Sequence, residues 1–139
     1  MKKYIVLFST QDEWGIEKTE SENKIEALEA VYGSQLEGQI EVSPIGKFLW
    51  DDDAGNYFTG IIVPEENLTE RVYIYKHDSE ELLGFKGMLE CYKKIACSIE
   101  EAYGLEEAKE VVDFLIKNKD ATLNINLGNW GDTTIFIMD

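Results

Sequence analysis

The side chains of this sequence that could take part in chemistry are one histidine, two cysteines and 28 carboxylates. His77 is the only imidazole, so any Ser/His/Asp or Cys/His arrangement would have to run through it. Its setting, Tyr75-Lys76-His77-Asp78-Ser79-Glu80, reads as a strand leading into a helix, where Asp78 and Ser79 are already accounted for as capping residues. A structural histidine is the simpler account. Cys91 and Cys97 fall in a stretch of helical spacing, and at about 3.6 residues per turn they stand about 240° apart around the axis. They do not face each other, so no internal disulfide is expected and a reducing, cytoplasmic compartment fits.

Metal and phosphate chemistry find little support. Two thiols and one imidazole are too few for a closed tetrahedral zinc site of the Cys/His kind. The run Asp51-Asp52-Asp53-Ala54-Gly55-Asn56 invites a calcium-loop reading, which needs glycine at the sixth position and glutamate at the twelfth. Counted from Asp51, glycine falls fifth, at Gly55, and the twelfth residue is Ile62. An acidic hairpin turn describes the run better. No Gly-rich phosphate loop occurs either, and Gly128-Asn129-Trp130-Gly131 lacks the strand-then-helix setting of one. No metal, cofactor or catalytic residue is therefore expected, and the chain reads as a protein without enzymatic activity.

The elements that must position these groups are short. Residues 3–9 are apolar on both faces of an extended chain, as in an interior strand, and Trp14 to Thr19 reads as a second strand. Thr19-Glu20-Ser21-Glu22 has the form of a capping box for a first helix, with Thr19 as N-cap and Gly33 as the stop. Strands follow over Gln39 to Val42 and Lys47 to Trp50, then Tyr57 to Val63 after the acidic turn, then Val72 to Tyr75. Asp78 with Glu81 reads as the start of a long helical region, the glycines Gly84 and Gly87 leaving its start between Ser79 and Met88. Gly104 ends or kinks it, Leu105 to Lys117 is a further amphipathic helix, and a hairpin over Thr122–Leu127 and Thr133–Met138 closes the chain. The pattern predicts an α+β fold: one globular domain over residues 1–139, with a mostly antiparallel sheet and about three helices packed on one face.

Charge is the most informative feature. The chain carries 28 acids against 13 bases, a net −15, and residues 10–70 hold 15 of the acids with 3 of the bases. Such a charge repels nucleic acid and anionic membranes, and no apolar stretch approaches the roughly 20 residues of a membrane helix. It favours encounter with basic proteins. The expected contact is Asp51, Asp52 and Asp53 with Glu65, Glu66 and Glu70, together with Trp130 in its glycine-flanked turn. In size and charge the chain is similar to small acidic inhibitors, the anti-defence proteins of phages and mobile elements and the immunity proteins of nuclease toxins. That likeness implies a partner such as a basic nucleic-acid enzyme, bound by imitating nucleic-acid charge. The alternative is a small-ligand or regulatory domain with a pocket lined by Tyr73, Tyr75, Tyr92 and Tyr103. Self-association through an edge strand within residues 39–50 is a further option.

Overall fold

The computed structural model describes residues 1–33, 36, 39–118 and 122–138. Chain contacts divide it into two compact units, Met1–Thr69 and Glu70–Asp139, each with its own antiparallel sheet and its own buried cluster.

In the first unit everything is hung on β1 (Lys2–Thr10). A turn over residues 11–13 leads it into β2 (Trp14–Ser21), with the Thr10 N–H donating to the Glu13 carbonyl at 2.7 Å. The Thr10 hydroxyl accepts from the N–H groups of Asp12 and Glu13, which closes the turn. After α1 (Lys24–Tyr32) come β3 (Glu41–Val42), β4 (Lys47–Asp51) and β5 (Tyr57–Pro64). β5 returns along the other edge of β1, giving the sheet order β2-β1-β5-β4-β3. Tyr4, Val6, Phe8, Phe48, Phe58 and Ile62 share one face, and α1 closes over it with Ala27 and Leu28. The Phe58 ring sits at the centre, 4.7 Å from those of both Tyr32 and Phe48.

The first helix starts later than its capping-box pattern implies. Thr19 is paired with Tyr4 in β2, and the strand runs on to Ser21 opposite Lys2. Asn23 is the cap instead, its side-chain oxygen accepting from the Glu26 N–H at 2.9 Å. Sheet pairing outweighs the local signal at Thr19, and an asparagine three residues before a glutamate serves the same purpose.

The second unit consists of β6 (Val72–Lys76), β7 (Glu81–Phe85), α2 (Met88–Tyr103), α3 (Leu105–Lys117), β8 (Leu123–Asn126) and β9 (Asp132–Ile137). Its sheet order is β7-β6-β9-β8. Val72, Ile74 and Ile135 face the helices and meet Cys91, Ile95 and Ile99 of α2 and Ala108 and Leu115 of α3. Of the starts that the glycines leave open, the later one holds: α2 begins at Met88, and Glu81–Phe85 before it is strand. Asp78 caps no helix: it lies in the β6–β7 turn, which Glu80 completes at a positive φ of 55°. Leu83 and Phe85 alternate onto the buried cluster, and glycine at 84 and 87 costs a helix about 1 kcal/mol each. The Lys76–Glu81 ion pair, 3.1 Å, sits at the turn end of the hairpin.

The α+β class stands: among the described residues the strand pairing is antiparallel and there are three α-helices. The expected single sheet is instead two. The physical cause lies at Pro64, which has no N–H to continue a ladder and leads into the 3₁₀ turn Glu65–Asn67. Among the described residues no helix is long and apolar enough to cross a membrane.

Two measurements check this packing. Gly60 lies opposite Phe8 with φ +151°, and a Cβ there would run into the Leu7 carbonyl oxygen of the adjacent strand. Gly60→Ala is expected to cost about 2–3 kcal/mol, read as a lower urea midpoint at unchanged slope. Cys91 is buried and its thiol is pushed up to about 12, whereas Cys97 is exposed. At about pH 8 an alkylating reagent is expected to modify Cys97 alone, and to reach Cys91 only after denaturant is added.

Candidate functional site

The acidic turn between β4 and β5 is a built structure. The Asp51 carboxylate accepts from the Asp53 N–H at 2.7 Å. One oxygen of Asp52 accepts from the N–H groups of Ala54 and Asn56, at 2.8 and 3.1 Å, and the other from the Asn56 side-chain amide at 2.6 Å. Asp53 takes a left-handed conformation, φ 61°, which aspartate tolerates better than most residues. These bonds hold the Asp52 carboxyl below its ordinary value, the Asn56 amide contributing most and the Ala54 N–H next. All three carboxylates are exposed, and that of Asp53 has no partner among the described residues. The turn is thus a preorganised tip presenting ionised carboxylates to solvent.

Glu65 and Glu66 do not join this tip. They follow the far end of β5, an eight-residue strand that spans roughly 25 Å at about 3.3 Å per residue. There they line a cavity of about 460 Å³ together with Lys2, Lys3 and Glu20. Two lysines thus offset part of the acidity at that end.

The other two expected contact residues belong to the second unit. Glu70 is half-buried, its N–H donating to the Tyr73 hydroxyl at 2.9 Å and its side chain lying over Gly84. Trp130 is half-buried against the cluster beneath the helices, with the Lys76 ammonium 4.2 Å from the ring centroid. Its contacts are those of a packing residue.

Nor do the four tyrosines converge. Strand alternation puts Tyr73 and Tyr75 on the sheet face opposite the helices, while Val72 and Ile74 face them. Tyr92 packs into the helical cluster with its hydroxyl on the Leu115 carbonyl, and Tyr103 is exposed. His77 is buried, its Nε2 lying 2.7 Å from the Thr134 hydroxyl, and that hydroxyl donates to Asn124 at 2.7 Å. The hydroxyl's single proton is thereby committed, so Nε2 donates to it. This chain ties β6, β9 and β8 together on one face, a structural role that no sequence spacing discloses. Beside it the Tyr75 ring meets His77 edge-on at 4.7 Å. The Tyr75 hydroxyl is buried with no hydrogen-bond partner among the described residues, and burial raises its pKa.

No group of three or more metal-ligating side chains occurs among the described residues. No family model, curated protein or solved structure matches the chain.

The turn's own chemistry is open to measurement. In a carboxyl-detected NMR titration the Asp52 midpoint is expected below 3.8, and Asn56→Ala is expected to move it back up. Because the folded pKa is the depressed one, the turn's contribution is present above the unfolded value and fades as pH falls through the folded one. An Asp52 midpoint at or above 3.8 would contradict this geometry.

Proposed function

We propose that this chain is a non-enzymatic binding protein that docks a basic surface of another protein, with the Asp51–Asp53 tip as its leading contact. One observation carries this reading. The first unit has 13 described carboxylates, and none forms an ion pair with any described residue. Charge that is not neutralised within the molecule projects outward, where it steers and orients a cationic partner. The tip adds rigidity, since its bonds are made before binding and little ordering cost remains.

The class of partner follows from the same charges. Acids at both ends of β5 span a length that, along one strand of DNA at about 3.4 Å per charge, holds about seven phosphates. A basic nucleic-acid enzyme fits such a surface, and occupying its nucleic-acid groove would inhibit it. Glu65 and Glu66 then form a second contact, used by a partner broad enough to reach both ends. Glu70 and Trp130 have packing contacts of their own and are not needed for this docking.

The test uses immobilised chain at low salt, with retained proteins released by rising salt or by added duplex DNA. A basic nucleic-acid-binding protein held in stoichiometric amount and displaced by DNA is the expected result. Replacing Asp51, Asp52 and Asp53 by asparagine keeps the acceptor oxygens and the turn while removing the charge. That variant is expected to lose about three- to tenfold in association rate with little change in dissociation. An unchanged association rate places the contact elsewhere, and failure to retain any basic protein removes the reading itself.

A further inference from the structure

The first unit's sheet has an edge whose chemistry the acidic tip does not use. β2 ends the strand order, so among the described residues no strand lies along its outer side. It is eight residues long and free of proline. The edge strand at the other end, within the 39–50 segment where the sequence suggests self-association, is β3, only two residues long.

The β1–β2 ladder determines which main-chain groups face outward. Thr10 and Glu13 form the hydrogen-bonded pair beside the turn, and such pairs alternate with non-hydrogen-bonded ones along an antiparallel ladder. Lys18 opposite Ile5, and Glu20 opposite Lys3, are therefore non-hydrogen-bonded. Their N–H and C=O groups point away from β1. Both side chains are exposed, lie on one face of the sheet and have no ion pair among the described residues.

We propose that this edge pairs with the same edge of a second copy of the chain, antiparallel about a twofold axis at Thr19, setting Lys18 of each copy opposite the partner's Glu20. A twofold axis perpendicular to the sheet keeps each face on its own side, so only residues of like parity meet. Registers centred on Glu17 or Lys18 place like charges together on the axis. A centre at Ile16 leaves Glu20 outside the ladder. The centre at Thr19 creates two Lys–Glu pairs at hydrogen-bonded positions, flanking a Thr–Thr pair. Charges on an edge discourage pairing with strands at large. These admit the one strand that complements them.

The test is independent of the acidic tip and uses the full chain at near-physiological salt. Sedimentation equilibrium is expected to show monomer in exchange with dimer. Lys18→Glu, which sets glutamate against glutamate twice, is expected to weaken the dimer by about tenfold or more, as is Glu20→Lys. The double variant K18E/E20K restores the complement and is expected to recover the affinity to within about threefold. On a Cys97→Ser background, Thr19→Cys faces its copy at a Cα separation of about 4.5 Å, where mild oxidation yields a covalent dimer. A chain monomeric up to about millimolar concentration overturns the proposal. So does a dimer that is indifferent to both charge substitutions and is not trapped through residue 19.

Discussion

The constraint on which the first unit depends is that β1 is paired along both edges. Each of its residues from Tyr4 to Ser9 answers at once to a partner in β2 and a partner in β5. A slip of one residue on either side would carry Tyr4, Val6 and Phe8 off the face that α1 covers. Two features exclude that slip: the closed turn at Thr10 and Glu13, and the absence of a side chain at Gly60. The acidic tip, the Glu65–Glu66 turn and the outer edge of β2 are all placed by these two ladders.

Much of this was legible in the residues. β1 announces itself by being apolar in both parities, α3 by its stripe and its terminal charges, and the β4–β5 hairpin by a turn composed of little but aspartate, glycine and asparagine. What misled was local signal overruled by pairing. Thr19 is an adequate cap but a better strand residue once Tyr4 lies beside it. Residues 81–85 lie beside a run of helical spacing, yet become strand because β6 presents an edge to them. Distances along the chain mislead too. Asp53 and Glu65 stand close in sequence, but a fully extended strand separates them. The tyrosine quartet failed on parity, since residues one apart from a helix-facing position cannot share its face.

The charge distribution poses a different physical question. An intramolecular ion pair on a surface contributes little, about 0–1 kcal/mol, so its absence costs the fold little. What changes is the field. A carboxylate with no internal counter-charge is answered by mobile ions or by whatever cationic surface approaches, and displaced counter-ions make association salt-dependent. The Asp52–Asn56 bonds order the tip and hold the Asp52 carboxyl below its ordinary value.

Gly104 is at once the last cap of α2 and the first of α3, with φ 97° and its N–H on the Glu100 carbonyl. Two helices joined by one residue are locked in phase as well as direction. An inserted or deleted residue at that joint would rotate α3 by about 100° about its axis and swing Ala108 and Leu115 away from the sheet. Length variation in descendants of this chain should therefore be tolerated at the β4–β5 tip, which projects into solvent, and purged at position 104, where a single added residue acts as a change of gear.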